Sequence, residues 1–196
     1  MESPIMKSLA DLETKSAIRQ GQNPARLRLW LYFTACAVYL VDRLSKLWVM
    51  ASLGDYDEIV VIPNFFHLIH IRNSGAAFGM LSDAEPWVRL LVLVGASSLA
   101  VFALAYFVWQ SASNPSYGGA KLRAGLALIL GGAAGNIHDR IAYGNVVDFL
   151  DFFVGSYHWY TFNIADSAIC VGTVLLLLDM WRSSSRESTA NASETA

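Results

Sequence analysis

The sequence predicts an all-α membrane protein with four transmembrane helices and a small extracytoplasmic β-sheet. Three observations carry this. The 196 residues are 55% hydrophobic and only 15% charged, with a mean hydropathy of +0.40, whereas a soluble domain is about a quarter charged. Four stretches approach the roughly 20 apolar residues a helix needs to cross a hydrocarbon core. Between the first two lies a short run of β-branched and aromatic residues that is too short to cross.

Taken in chain order, residues 1–28 form a polar N-terminal tail holding Lys7, Lys15, Arg19, Arg26 and Arg28. No apolar core of signal-peptide length precedes Leu29. A single membrane domain over 29–182 follows. Its first span, Trp30 to Met50, is apolar up to Val41 and then carries Asp42, Arg43 and Lys46. Segment 51–86 is extracytoplasmic. Within it, 59–71 reads as strands of a small sheet broken by Pro63, with a re-entrant loop as the alternative. The second span, Trp87 to Trp109, has one charge, Arg89, close enough to its end to snorkel. The third, Leu122 to Ile137, is rich in Gly and Ala and leads into His138, Asp139 and Arg140. Segment 141–161 is again extracytoplasmic. The fourth span, Phe162 to Trp181, holds Asp166 near one end and Asp179 near the other. Residues 183–196 are Ser/Thr/Glu-rich with almost no large apolar side chain, which predicts a disordered tail.

Basic residues set the orientation. Lys7, Lys15, Arg19, Arg26, Arg28, Lys121, Arg123, Arg182 and Arg186 collect on one side, so both termini are predicted to be cytoplasmic. Basic residues on the other side mostly have acidic neighbours. The balance of 14 basic against 16 acidic residues gives no case for a nucleic-acid partner. Cys36 and Cys170 lie in apolar runs and read as small core residues, not as a bridge. The halves do not resemble each other, which weakens a transporter built from inverted repeats.

Placing an unpaired charge mid-bilayer costs roughly 2.5–3.5 kcal/mol on insertion scales, yet Asp42, Lys46, Asp139, Arg140, Asp148 and Asp166 all fall at the predicted outer ends of the spans. That clustering points to a site near the outer interface. Asp42 and Lys46 are four apart and share a helix face, as an ion pair requires. Asn136, Asp139 and Arg140 also share a face, and Asp139 beside Arg140 reads as part of a structural network. Gly131, Gly132 and Gly135 permit close helix packing that turns this face into the bundle. Asn163 sits three residues before Asp166 at the start of the last span, where a helix N-terminus favours a carboxylate.

Asp148 differs from these. It stands among Val146, Val147, Phe149 and Leu150 with no adjacent cation, so desolvation raises its pKa. Two carboxylates in one low-dielectric site share a proton, and one then serves as base and the other as acid toward a single water. Spacing alone does not bring Asp148 to Asp166. A structural or proton-relay role for each stays open beside the pair.

At this point the residues resemble a family. Gly131-Gly132-Ala133-Ala134-Gly135-Asn136-Ile137-His138-Asp139-Arg140, then Asn145-Val146-Val147-Asp148-Phe149, then Phe162-Asn163-Ile164-Ala165-Asp166, resemble the lipoprotein signal peptidases (signal peptidase II). Asp42-Arg43-Leu44-Ser45-Lys46 and Asn73-Ser74-Gly75-Ala76-Ala77-Phe78 agree with it. The five ordered motifs cover roughly residues 30–182. Trp159-Tyr160-Thr161 departs from the family, which often has proline after the tryptophan, and the N-terminal extension is longer than usual.

The resemblance implies an aspartic endopeptidase of the bacterial inner membrane, with its site near the periplasmic face and no cofactor or metal. Its substrates are diacylglyceryl-modified prolipoproteins, cut N-terminal to the lipidated cysteine. Its other partners are membrane lipids and globomycin-type inhibitors. By motif match Asp148 and Asp166 take the catalytic positions, and Asn145 and Asn163 the site-lining asparagines. Asp42, Lys46, Asn73, Gly75, Asn136, Asp139 and Arg140 fall where the family shapes the site or contacts substrate.

The leading rival is a small proton-coupled membrane transporter, which calls for acidic groups spread through the membrane depth. A structural or assembly subunit leaves the polar cluster unexplained. Serine chemistry lacks a nucleophile–base pair, because Ser45 and Lys46 are adjacent on a helix and point apart. The four histidines lack a zinc-site pattern such as H-E-x-x-H.

Overall fold

A computed structural model describes residues 23–74, 85–114 and 117–194. Gly75, with the rest of its Ala76-Ala77-Phe78 motif, and Lys7, Lys15 and Arg19 of the N-terminal tail lie outside these residues. The order of elements is α1 (Pro24–Ser52), β1 (Glu58–Ile62), β2 (Phe66–Asn73), α2 (Pro86–Ser113), α3 (Ala120–Tyr143), β3 (Val146–Val154), β4 (Tyr157–His158) and α4 (Ile164–Glu194). The architecture is mostly helical with a small antiparallel sheet, as expected.

Helix α1 starts at Asn23, whose side chain accepts the Ala25 N–H at 2.9 Å, with Pro24 supplying a preset φ in the first turn. Its buried residues are Leu31, Ala35, Asp42, Lys46 and Val49, a single stripe at helical spacing. The inner part of that stripe is apolar. It joins Val108 and Ala112 of α2 and Leu126, Ala127 and Leu130 of α3 in one core. The outer part is charged and faces the site.

Helix α3 lies against the three other helices, and its glycines allow this. A Cβ on Gly131 would strike the Ala35 carbonyl of α1, and one on Gly132 the Ala165 carbonyl of α4. Farther along the same seam, a Cβ on Gly125 would come within 2.6 Å of the Gly172 carbonyl. Small residues let these backbones approach where hydrocarbon supplies no hydrophobic drive. Gly132→Val should therefore cost about 1–3 kcal/mol of stability, the usual penalty of overpacking. Equilibrium unfolding in detergent micelles measures it, and an unchanged midpoint would mean the seam is loose.

The sheet order is β1-β2-β3-β4, antiparallel throughout, with Ile71 opposite Asp148 and Asn73 opposite Val146. The expected break at Pro63 is a turn between β1 and β2, in which Asn64 adopts a left-handed φ of 61°. Val49 of α1 and Leu53 just after it pack on Val147 and Phe149 of β3, so the sheet rests on the end of the bundle where α1 closes. His70 Nδ1 lies 3.0 Å from the Leu53 carbonyl. That acceptor fixes the proton on this nitrogen and ties β2 to α1.

Two of the four long helices contain stretches apolar enough to cross a membrane by length and composition: Leu91–Ser113, with mean hydropathy 2.3, and Ile164–Ser183, with 1.7. Helices α1 and α3 carry charges on their packed faces, and these lower any hydropathy average. Two expectations change. Cys36 and Cys170 are free and exposed on the helix surfaces, not in the core; where a helix is apolar on several faces, an apolar neighbourhood in the sequence does not mark the buried one. The helical backbone of α4 also continues to Glu194, through the segment where composition predicts disorder. Extending an existing helix avoids the nucleation cost that a separate one incurs.

Candidate active site

Four elements meet where α4 begins. Asn163 precedes α4, and its Oδ1 accepts the Asp166 N–H at 3.0 Å while Asp166 Oδ2 accepts the Asn163 N–H at 3.2 Å. This reciprocal capping box follows from the three-residue spacing seen in the sequence. It holds the Asp166 carboxyl at the positive end of a 31-residue helix. The other oxygen, Oδ1, accepts from Asn136 Nδ2 at 2.7 Å.

Asp148 arrives from the sheet. Strand β3 buries Val146, Val147, Asp148 and Phe149 in succession, leaving Asp148 only 3% exposed. Its Oδ1 accepts from Asn163 Nδ2 at 2.7 Å and its Oδ2 from Asn73 Nδ2 at 2.9 Å. Burial pushes this carboxyl up to about 6. The nearby Asp166 adds to the rise, while the two amides and Lys46 oppose it. One amide, Asn163, thus contacts both aspartates. It is fully buried, and its Nδ2 also lies 3.3 Å from the Val147 carbonyl.

Behind these groups lies a buried charge cluster. Lys46 is fully buried, and its Nζ stands 2.9 Å from each of Asp42 Oδ2, Asp139 Oδ2 and Asn136 Oδ1. The ammonium donates to the Asn136 carbonyl and forms ion pairs with both carboxylates. Asp42 Oδ1 accepts the Ala165 N–H at 2.9 Å, a further orphan donor at the start of α4. Asp139 takes Arg43 Nη1 at 3.1 Å and the Val147 N–H at 3.3 Å. The Asp42–Lys46 pair expected from spacing is present. The network around Asp139, however, is built with Lys46 and Arg43, because consecutive helix residues diverge and Arg140 turns away toward the cavity.

That cavity, of about 690 Å³, has Asn73, Asn136, Arg140, Asp148 and Asp166 on its wall, a size typical of ligand sites. Trp159, Tyr160, Phe162, Ile169 and Val171 make most of the remainder apolar. Ser167 and Thr161 add hydroxyls, and Cys170, one turn after Asp166, lines it as well. None of these eight was picked out as lining the site from sequence, although the spacing of Asp166, Ile169 and Cys170 along α4 was there to be read. Asn145 is not part of the wall. Its Nδ2 donates to the Tyr143 carbonyl at 3.0 Å in the turn that Gly144, with a left-handed φ of 74°, makes after α3.

Such an arrangement, a carboxyl pair on the wall of a mostly apolar cavity, suits acid–base chemistry on an amphiphilic substrate. Comparison with known proteins agrees. A family model described as "Signal peptidase (SPase) II" matches residues 34–182. The lipoprotein signal peptidase of Solibacter usitatus is 43% identical over 158 residues, covering 80% of this chain and 93% of that protein. That of Syntrophotalea carbinolica is 44% identical over 152 residues, covering 78% and 91%. A bacterial membrane enzyme solved by the in meso method at 2.3 Å resolution superposes with a TM-score of 0.69 at 29% identity, covering 80% of this chain and 90% of that one. The chain belongs to the signal peptidase II family.

Proposed function

We propose that this protein is an aspartic membrane endopeptidase that removes signal peptides from prolipoproteins, cutting N-terminal to a diacylglyceryl-modified cysteine, with Asp148 and Asp166 as its catalytic pair. The observation that carries the pair is its geometry. Two carboxyls from a strand and a helix, far apart in sequence, line one cavity and both accept from Asn163, Asp148 from its side-chain amide and Asp166 from its backbone N–H. A water held between them loses a proton to the ionised carboxylate and attacks the scissile carbonyl. The protonated partner donates to that oxygen, and the carboxyl that took the water's proton passes it to the leaving nitrogen as the C–N bond breaks, while the partner regains its proton from the hydroxyl as the carbonyl re-forms. Arg140 lines the cavity near both, where a cation supports charge that develops on the carbonyl oxygen.

In this reading all four long helices span the bilayer, both termini are cytoplasmic, and the sheet lies on the periplasmic side of the bacterial inner membrane. The apolar wall then opens toward lipid and receives the acyl chains, the signal helix or a globomycin-type peptide. Asn73, Asn136 and Asn163 orient the aspartates, and Asp42, Lys46 and Asp139 hold those amides from behind. The family resemblance adds Gly75 and Asn145 to the site-shaping residues. The place of Asn145 in the α3–β3 turn supports a role in carrying Asp148 forward, without contact to substrate.

The test is cleavage by the purified protein of a diacylglyceryl-modified prolipoprotein and of its unmodified form. Processing of the first alone, blocked by globomycin, is the expected result. Equal processing of both would remove the lipid from recognition, and processing of neither would overturn the assignment.

A further inference from the structure

We propose that Asp151 and His158 form a latch that seats the segment Trp159-Tyr160-Thr161 on the wall of the cavity, which makes them positioning residues for substrate. The inference rests on the cavity being the prolipoprotein site and concerns how one side of it is held in place.

A buried carboxylate with an exposed partner carries it. Asp151 is only 4% exposed and lies three residues beyond Asp148 on the same strand, yet the reaction has no use for it. Among the described residues its side chain has one polar partner, His158, whose Nδ1 lies 2.9 Å from Oδ2 and 3.2 Å from Oδ1. An ionised carboxylate only accepts, so Nδ1 is the donor. Side chains two apart on a strand share a face, so Asp151 and Phe153 point the same way, and His158 pairs opposite Phe153. The imidazole lies flat on that ring, with 4.7 Å between centroids and 11° between planes. His67 of β2 contacts the same ring at 4.5 Å. Asp151 thus fixes the edge of the imidazole and Phe153 its face. Burying a carboxylate is costly unless it is paired, and here the pairing requires β4 to be seated.

What the latch holds is the segment that follows. Trp159, Tyr160, Thr161 and Phe162 line the cavity in succession. The far end is tied firmly. The Phe162 carbonyl accepts the Phe149 and Leu150 N–H groups at 3.0 and 2.8 Å, and its own N–H donates to the Leu150 carbonyl at 3.2 Å. The near end has one backbone bond, from the Trp159 N–H to the Phe152 carbonyl at 2.8 Å. Strand β4 before it has only two residues, whereas strands usually run to about 3–10. Burial adds little, since Trp159 and Tyr160 are both more than half exposed. The side-chain pair is therefore the principal restraint at this end. Without it the segment lifts from Trp159 onward, while Phe162 and Asn163 stay against β3. The cavity then loses part of its apolar wall and the carboxyl pair keeps its geometry, so binding suffers and the chemical step does not.

The experiment compares His158→Phe, which keeps a ring on Phe153 but has no donor for Asp151, with His158→Asn, whose side-chain amide supplies one. Steady-state cleavage of the lipidated prolipoprotein and amide hydrogen exchange in micelles are measured on each full-length variant. His158→Phe should raise KM by at least about tenfold, the equivalent of one lost hydrogen bond to a charged group, with kcat little changed. Its Trp159 amide should exchange faster by a similar factor, and its Phe162 amide as slowly as before. His158→Asn should restore both KM and the protection of Trp159. A merely structural role would lower kcat through a smaller folded fraction and leave KM alone, and that result overturns the proposal. So does a Trp159 amide that keeps its original exchange rate in His158→Phe. Equal defects in the two variants would trace the effect to the ring and remove Asp151 from it. If the unaltered protein cleaves no prolipoprotein, the functional reading fails, and the exchange rates decide the latch on their own.

Discussion

Asp148→Asn and Asp166→Asn will each lower turnover of a lipidated prolipoprotein by at least about 10²–10⁴-fold, the range that positioned acid–base groups supply. Both variants will remain folded. Asparagine keeps an acceptor for Asn163 at position 148, and at position 166 it keeps one for the backbone N–H of the capping box. What it cannot do is take up or release a proton. Gel-shift assay of processing, with circular dichroism of the same samples, separates lost chemistry from lost fold. The pH dependence follows the direction of the Asp148 shift. Burial raises this carboxyl to about 6, so its acid form survives well above the ordinary carboxylate range. Activity that needs that form declines as pH climbs past this value. Near-normal turnover by either variant removes that residue from the mechanism.

The parts of this site legible in the sequence are those created by short-range geometry. A spacing of four from Asp42 to Lys46, and of three from Asn163 to Asp166, gave the ion pair and the cap, since a helix converts spacing directly into proximity. The strand run around Pro63 was readable because β-branched and aromatic residues alternate with a breaker. The sheet's reach to Asp148 was not read. Val146 to Val154 is buried on both faces near its start, so it shows no alternation, and its partner β2 lies more than seventy residues earlier in the chain. The convergence of Lys46, Asn136 and Asp139 needs the α1–α3 approach that Gly131 and Gly135 permit, and packing of that kind leaves only a composition signal. Family resemblance supplied Asn145 as a lining residue. The fold shows why it stops short: the αL turn at Gly144 ends α3 one residue earlier, and the amide is spent on the Tyr143 carbonyl.

Lys46→Met is expected to be the most destabilising single change outside the pair, at about 3–5 kcal/mol, the usual consequence of removing one partner from a buried charge cluster. Methionine keeps most of the length of the lysine stem but leaves Asp42 and Asp139 facing each other without the ammonium between them, with the Arg43 ion pair still on Asp139. No water replaces it easily, because Gly135 packs close against the Asp42 carboxyl. Adding Asp42→Asn should recover more than half of the loss. The amide still accepts the Ala165 N–H, and one of the two stranded charges is gone. The two substitutions are thus strongly non-additive, as contacting members of one network are, and equilibrium unfolding of the single and double variants in mixed micelles measures the coupling. If the double variant is as unstable as the sum of its parts, the cluster does not act as a unit. The start of α4, with Ala165 and Asp166 side by side, would then be held by helix packing, with the buried ammonium playing no part.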